Sequence, residues 1–163
     1  MKNFILTASL AEKKLQRMAY EIAERNVGEP LLILAGIKEN GVVIANQLRI
    51  MLGQIYKGII EVIEIGLEKR NPNEIKLSKE KNLDHAVVIL IDDVANSGKT
   101  MAYSLKPFLN HHPKKIQTLA LVDRAHKDFP VHMDYVGLSL STTLQEHIFV
   151  EVEAGRVSGA WLE

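Results

Sequence analysis

Two adjacent acidic residues, Asp92 and Asp93, follow an uninterrupted apolar run and precede a short polar loop that ends at Thr100. The run, residues 87–91, is rich in β-branched side chains, which is typical of a strand buried on both faces of a parallel sheet. Ligands of open α/β sheets bind outside the carboxyl ends of such strands. Carboxylates there accept hydrogen bonds from hydroxyls, and loop amides can hold a phosphate. The segment therefore predicts a site for a sugar phosphate.

If the sugar phosphate is a ribose 5-phosphate, the acids would bind its hydroxyls and the loop would bind its phosphate. Asp92 and Asp93 would hold the ribose hydroxyls and are the first catalytic candidates. The loop would bind the 5′-phosphate, and its glycine would let the anion approach the main chain. The 5′-phosphate-binding residues are predicted to be Ala95, Asn96, Ser97, Gly98, Lys99 and Thr100.

Two other interpretations use the same residues differently. Aspartate and serine are good helix N-caps, so the acids could simply begin the next helix. The ending Ser97-Gly98-Lys99-Thr100 also matches that of a P-loop for nucleoside triphosphates. That motif requires glycine five residues before Gly98, where this chain has Asp93. A carboxylate at that position would repel the phosphates, which argues against a P-loop.

Composition indicates an ordinary globular protein. The 163 residues suit a single domain over residues 1–163, and 20 basic residues balance 20 acidic ones, so no overall charge attracts nucleic acid or membrane. The lack of cysteine excludes disulfides and thiolate metal sites. The apolar stretch at residues 4–6 is too short for a signal sequence or a membrane span, so we expect a cytoplasmic protein that binds no membrane.

The elements that must position the acids alternate between strands and helices. Helical periodicity with a capping box from Ser9 to Glu12 predicts a helix over residues 9–26. Alternation of this kind predicts an α/β fold, a three-layer sandwich around a central, mostly parallel sheet. Strands are expected over residues 31–35, 59–65, 86–92, 116–122, 135–138, 147–152 and 157–161, and further helices over 42–52 and 98–110.

The motif from Ile89 to Thr100 resembles the phosphoribosyl diphosphate signature of type I phosphoribosyltransferases, with four apolar residues, two acids and a loop that closes in hydroxyl-Gly-x-Thr. Residues 19–26, 121–130 and 134–137 resemble one branch, the pyrimidine operon attenuation regulators that are also uracil phosphoribosyltransferases. The resemblance implies transfer of the phosphoribosyl group from phosphoribosyl diphosphate to a nucleobase, uracil favoured, with release of pyrophosphate. It also implies a homodimer and Mg²⁺ that is bound through the ligand, with no direct protein ligand.

The resemblance assigns a role to the loop after residue 36. Lys38 becomes a catalytic candidate that would neutralise the leaving pyrophosphate, and a cis peptide bond is expected between Ile37 and Lys38. A solvated surface lysine is the alternative. The pyrophosphate-binding residues would be Ile37, Lys38, Glu39, Asn40 and Gly41.

Two further segments gain roles in the same way. Residues 66–84 correspond to a flexible catalytic loop, with Lys69 or Arg70 as its basic residue. Residues 123–163 include a small hood over the base, where Arg124 and His126 would contact it.

The chain departs from its relatives at Glu39 and Asn40, where they usually carry threonine and arginine. Asparagine cannot replace the bidentate phosphate clamp of arginine. A protein that binds phosphoribosyl diphosphate without turnover is therefore an alternative to the enzyme. Enzymes for hypoxanthine and guanine generally place a carboxylate where this chain has Asn96, and an amide cannot act as a general base. A purine substrate stays open because residues 98–101 also resemble those enzymes.

An RNA-binding regulator is the remaining alternative. Relatives use a basic surface formed partly by the first helix, where this chain keeps Arg17 and Arg25. Because the chain is neutral and this basic face is thin, we do not expect tight, phosphate-driven RNA binding at physiological salt.

Overall fold

A computed structural model of the chain describes residues 2–68 and 74–163. The elements in chain order are β1 Asn3–Thr7, α1 Ala8–Arg25, β2 Leu31–Ile37, α2 Asn40–Leu52, β3 Ile59–Gly66, β4 Lys76–Leu77, β5 Val87–Ala95, α3 Lys99–Ser104, α4 Lys106–Leu109, β6 Lys115–Arg124, β7 Tyr135–Leu140, β8 Ile148–Glu153 and β9 Arg156–Leu162. The alternation of strands and helices agrees with the α/β class expected from the sequence.

The larger sheet has six strands in the order β4-β3-β2-β5-β6-β7. All its pairings are parallel except that of the two-residue β4, which runs antiparallel to β3. β5 lies between β2 and β6, and its apolar residues 87–91 are completely buried. The mostly parallel sheet with a buried central strand is confirmed.

Helices cover both faces of this sheet and make the predicted three layers. On one face, Leu15 of α1 and Leu48 of α2 pack with Ile89 of β5 in one hydrophobic cluster. On the other face, Phe108 of α4 packs with Leu90 of β5 in a second cluster. Side chains of β5 thus alternate between two cores, which is why the strand needs an unbroken apolar sequence.

A second, antiparallel sheet has the strand order β1-β9-β8. The sequence did not predict β1, whose Phe4 pairs with Trp161 of β9. Leu6, Val157 and Ala160 of this sheet belong to the same hydrophobic cluster as α1 and α2. The C-terminal strands therefore pack onto α1 and α2 together with β1, a strand from the opposite end of the chain.

Two predicted boundaries were wrong. The N-cap of α1 is Thr7, whose hydroxyl accepts a hydrogen bond from the Leu10 N–H (3.2 Å), so the helix begins before Ser9. β5 does not end at Asp92 as predicted, because its pairing with β6 continues to Ala95 opposite Asp123. Asp92 and Asp93 lie within the strand and not after it.

The helix predicted over residues 98–110 is interrupted. α3 ends at Ser104 and α4 begins at Lys106, with Leu105 between them. Pro107 has no N–H to continue the hydrogen-bond ladder of α3, so the chain makes a tighter turn there. The Phe108 N–H accordingly donates to Leu105 O, three residues back (3.0 Å).

The segment 66–84 contains the short strand β4, which the Ser78 side chain helps to hold by accepting a hydrogen bond from the Glu64 N–H (2.8 Å). Lys69 and Arg70, the basic residues proposed for a catalytic loop, lie outside the described residues. A flexible loop here stays a prediction.

Candidate functional site

Three chain segments meet at the carboxyl edge of the parallel sheet. They follow or end the adjacent strands β2, β5 and β6, where Gly36 pairs with Ile91 and Ala95 pairs with Asp123. Residues 37–41, 92–100 and 123–131 are brought together in this way. These segments contain the residues predicted to bind the ribose, the 5′-phosphate, the pyrophosphate and the base, whereas Lys69 and Arg70 lie outside the described residues.

The two acids bond to different neighbours. Asp92 is 3% exposed, and its Oδ1 accepts a hydrogen bond from the Asp93 N–H (2.9 Å). Asp93 is half-buried; its Oδ1 accepts from the Val94 N–H (2.8 Å), and its Oδ2 accepts from Asn40 Nδ2 (2.9 Å). Each carboxylate oxygen has two acceptor positions. The hydrogen bonds from the main chain and from Asn40 fix the orientation of the two carboxylates.

The loop after β5 encloses a concavity of about 70 Å³ that Asp92 and residues 94–101 line. Ser97 Oγ accepts a hydrogen bond from the Lys99 N–H (3.3 Å), which holds the loop closed before α3. Asp93 is not among the lining residues. The shape offers room for one small anion with Asp92 at its edge.

Gly98 is required by backbone conformation and by packing. Its φ is +86°, in the left-handed region that side chains disfavour. A Cβ on Gly98 would lie 2.5 Å from Val131 Cγ2. The sequence suggested that glycine leaves room for the anion; in the structure it leaves room for Val131, which lies behind the loop.

Residues 127–131 pack behind the phosphate loop, which is the segment 95–100 that the sequence predicts to bind a 5′-phosphate. The N–H groups of Asp128 and Phe129 both donate to Ser97 O, at 2.9 and 3.1 Å. Lys127 Nζ donates to Asp123 Oδ1 (2.6 Å) and lies 3.4 Å from Ala95 O. Sequence reasoning missed Lys127; its place four residues after Asp123 was the available signal.

The loop after β2 packs directly against β5. A Cβ on Gly41 would lie 2.5 Å from Ile91 O, so only glycine lets the loop approach the acids this closely. The side chains of Lys38 and Glu39 are exposed. The loop therefore offers one cation and one anion to whatever binds beside the acids.

The cis peptide bond expected between Ile37 and Lys38 lies instead between Lys38 and Glu39. Ile37 still pairs with Ile65 in the β2–β3 ladder, and the Lys38 N–H donates to Ile65 O (3.0 Å). The strand thus extends two residues beyond its predicted end at residue 35, and the cis peptide bond lies one bond later than predicted.

The candidate base contacts lie at the end of β6 and beyond it. The Arg124 guanidinium donates to Thr143 O in the loop after β7, and His126 is exposed. The Thr143 N–H donates to Glu146 Oε2 (2.7 Å), which lowers the pKa of that carboxyl. Arg124 therefore holds the loop that would form one wall of a base site.

The two arginines proposed as an RNA surface bind this chain's own edge strand. Arg17 Nη2 donates to Val136 O (2.8 Å) and Gly137 O (3.1 Å). Arg25 Nη1 donates to Asp134 O (3.0 Å), and its guanidinium lies 4.8 Å from the centre of the Tyr135 ring. Arg17 thus donates to the main chain of β7, and Arg25 contacts the residue before β7 and the ring of its first residue.

The described residues, 2–68 and 74–163, contain neither a cluster of metal ligands nor a helix that could span a membrane. Within those ranges, no three histidine, aspartate or glutamate side chains converge as a metal site. None of the helices there is both apolar and long enough to cross a membrane.

Sequence comparison connects this geometry to known proteins. The profile of the phosphoribosyl transferase domain matches residues 3–154. The bifunctional protein PyrR of Bacillus cereus is 32% identical over 164 residues, covering 93% of this chain and 91% of that protein. PyrR of Clostridium novyi is 34% identical over 161 residues, covering 93% and 90%.

Solved structures share the fold at lower identity. The hypoxanthine phosphoribosyltransferase of Trypanosoma cruzi superposes with a TM-score of 0.78 at 14% identity, covering 99% of this chain and 97% of that one. That of Staphylococcus aureus gives a TM-score of 0.74 at 14% identity, covering 91% and 81%. At this identity the likeness establishes the fold alone.

Proposed function

The chain belongs to the phosphoribosyl transferase domain family and is a phosphoribosyltransferase, and from that premise we propose that it transfers the phosphoribosyl group of phosphoribosyl diphosphate to uracil, releasing pyrophosphate. One observation carries the proposal. The acid pair, the phosphate loop and the loop with Lys38 meet at one edge of the sheet, in the arrangement that a ribose, its 5′-phosphate and its diphosphate require.

In the proposed reaction, a bond forms from the base nitrogen to C1 of the ribose while the bond from C1 to pyrophosphate breaks, and the proton of that nitrogen passes to the released pyrophosphate or to water. Asp92 and Asp93 accept hydrogen bonds from the ribose hydroxyls and hold the ring as it becomes oxocarbenium-like. Residues 95–100 hold the 5′-phosphate. The exposed Lys38 ammonium lies on the loop beside the leaving pyrophosphate. Positioning and electrostatics account for the rate enhancement.

Mg²⁺ fits this site as an ion carried by the ligand. The described residues offer no cluster of three acidic or histidine ligands, whereas the diphosphate supplies several oxygens. When bound, the ion would neutralise part of the diphosphate charge. Lys38 and Glu39 together cannot do so, because their opposite charges cancel. Asp92 and Asp93 would be the carboxylates that accept hydrogen bonds from its water molecules.

Uracil is proposed as the base on two grounds. The chain resembles the pyrimidine regulator branch, and its relatives carry the name bifunctional protein PyrR. Asn96, exposed in the phosphate loop, offers no carboxylate to a purine N7. Arg124 and His126 are the proposed base contacts. A purine remains the second substrate class, since solved structures with this fold include hypoxanthine enzymes.

The test is to incubate the protein with phosphoribosyl diphosphate and Mg²⁺ and each of uracil, hypoxanthine, guanine and adenine, and to measure pyrophosphate and nucleotide. We expect UMP from uracil and no product when EDTA removes the metal. A purine nucleotide instead would overturn the choice of base. Silence with every base would overturn the transfer reaction, and binding without release would then identify a sensor.

The oligomeric state, the location and the metabolic role are proposed from the same resemblance. We propose a homodimer that acts in the cytoplasm in pyrimidine salvage, and light scattering should give the mass of two chains. RNA regulation is not part of the proposal, because Arg17 and Arg25 are engaged with β7. Salt-sensitive retention of RNA by the wild-type protein would reverse that judgement.

A further inference from the structure

We propose that Asn40 is a positioning residue that orients the Asp93 carboxylate toward the ribose and ties it to the small C-terminal sheet. This inference rests on the proposed function, because it assumes that Asp93 accepts a ribose hydroxyl. It gives residue 40 a role on the ribose side of the site, whereas the sequence assigned it to the pyrophosphate.

Both hydrogens of the Asn40 amide are used within the chain. Nδ2 donates to Asp93 Oδ2 (2.9 Å) and to Val150 O (3.1 Å). Both partners are acceptors only, so chemistry requires the nitrogen, and not the oxygen, to face them. To donate to a pyrophosphate oxygen, Asn40 would have to give up one of these bonds. Its remaining amide oxygen is an acceptor and would repel an anion.

The bond to Asp93 completes a clamp on that carboxylate. Oδ1 is held by the Val94 N–H (2.8 Å) and Oδ2 by Asn40, so the plane of the carboxylate is fixed at both oxygens. Asn40 is the first residue of α2, and Gly41 next to it packs on Ile91 O. The donor is thus anchored by the same close approach that holds the loop beside β5.

The bond to Val150 extends the clamp to a different sheet. Val150 belongs to β8, an outer strand of the three-stranded sheet, and pairs with Ala160 of β9. Through Asn40, the main chain of β8 and the Asp93 side chain share one donor group. The position of the small sheet and the orientation of the acid are therefore coupled by a single side chain.

Three variants separate a donor role from simple space filling. Asn40→Ala removes both hydrogen bonds, and Asn40→Asp keeps the shape but places an acceptor against two acceptors. Asn46→Ala is the matched control, since Asn46 is exposed on the same helix. We expect the Kd for ribose 5-phosphate, measured by calorimetry, to rise about tenfold to a hundredfold for Asn40→Ala and further for Asn40→Asp. Asn46→Ala should match the wild type.

A double-mutant cycle tests whether Asn40 acts through Asp93. In an Asp93→Ala background, Asn40→Ala should raise the Kd for ribose 5-phosphate less than twofold, because its target is gone. With phosphoribosyl diphosphate and uracil, Asn40→Ala should lower kcat by more than it changes the KM for uracil. Thermal unfolding identifies any variant that fails to fold. Among folded variants, the Kd of Asn40→Asp compared with that of Asn40→Ala tests the donor role.

The outcomes distinguish this inference from the proposed function. An active wild type whose Asn40→Ala variant binds and turns over equally well overturns the inference alone, as does an Asn40→Asp variant that binds better than Asn40→Ala. A wild type that binds ribose 5-phosphate but releases no pyrophosphate, with weakened binding in Asn40→Ala, supports the inference and overturns the transfer reaction. A wild type that binds neither ribose 5-phosphate nor phosphoribosyl diphosphate overturns both.

Discussion

Lys127 Nζ lies 2.6 Å from Asp123 Oδ1, and the two side chains are 18% and 20% exposed. The same ammonium lies 3.4 Å from Ala95 O, where β5 gives way to the phosphate loop. The ion pair thus joins the end of β6 to the start of the loop that is proposed to hold the 5′-phosphate. Because both groups are largely removed from water, each depends on the other for an opposite charge.

Replacing Lys127 should therefore weaken the fold and the phosphate site together. For Lys127→Met we expect a loss of about 1–3 kcal/mol in the free energy of unfolding, since the Asp123 carboxylate keeps its burial and loses its cation. The Kd for ribose 5-phosphate should rise severalfold. Urea unfolding and calorimetry measure the two effects, with the exposed Lys57→Met as control. Equal stability of Lys127→Met and wild type would contradict this account of the pair.

Gly98→Ala should abolish binding of ribose 5-phosphate. Gly155→Ala separates the effect of backbone strain from that of the contact with Val131. Gly98 and Gly155 both have positive φ, +86° and +74°. An added Cβ meets Val131 at Gly98 but nothing within 4 Å at Gly155. We expect Gly155→Ala to destabilise by about 1–2 kcal/mol from backbone strain alone, with unchanged turnover. Gly98→Ala should destabilise by more and lose ribose 5-phosphate binding in calorimetry; comparable losses in both variants would exclude a part for Val131.

Asp93→Asn should lower activity while the protein stays folded. The amide keeps the shape of the side chain and one acceptor oxygen, but it removes the negative charge offered to the ribose as positive charge develops on the ring. We expect kcat/KM for phosphoribosyl diphosphate to fall by about 100-fold. Circular dichroism checks the fold, and Glu24→Gln, an exposed acid on α1, is the control. An unfolded Asp93→Asn protein would show instead that the acid has a structural role at the end of β5.

Tyr135 should make the protein less stable in alkali. Its side chain is completely buried and donates to Gln117 Oε1 (2.8 Å), and burial raises the pKa of the phenol above 10.0. Above about pH 10 the unfolded chain loses this proton while the folded one keeps it, so the free energy of unfolding falls as pH rises until the folded pKa is passed. Below that range the full contribution is present.

The corresponding test compares urea unfolding at neutral pH and above pH 10 in Tyr135→Phe and Tyr20→Phe. We expect Tyr135→Phe to be about 1 kcal/mol less stable than the wild type at neutral pH, because a buried hydrogen bond is lost. It should then lose less stability in alkali than the wild type does. Tyr20 is 56% exposed, and its variant should follow the wild type throughout. Parallel pH dependence of all three proteins would rule out Tyr135 as the source.

Local patterns were sufficient for the central part of the fold. The apolar run of residues 87–91 predicted a buried central strand because a strand packed on both faces needs apolar side chains in both directions. The order of strands and helices predicted the parallel sheet, and the apolar run ending in two acids predicted that Asp92 and Asp93 lie toward the carboxyl end of its central strand. Errors at Ser9 and at Pro107 were errors of boundary, where single hydrogen bonds decide the end of an element.

What the sequence determined by itself was the set of residues that could do chemistry, because strand burial, turn chemistry and motif spacing are properties of short segments. The tertiary structure decided what those residues bond to. Asn40 and Asp93 are 53 positions apart, and Arg17 and Val136 are 119 apart. No local pattern specifies such pairs, since they depend on how crossovers bring strand ends and helix faces together. The folded chain therefore turns Asn40 toward a carboxylate and Arg17 toward an edge strand, contacts that neither the residues nor the resemblance to known families predicted.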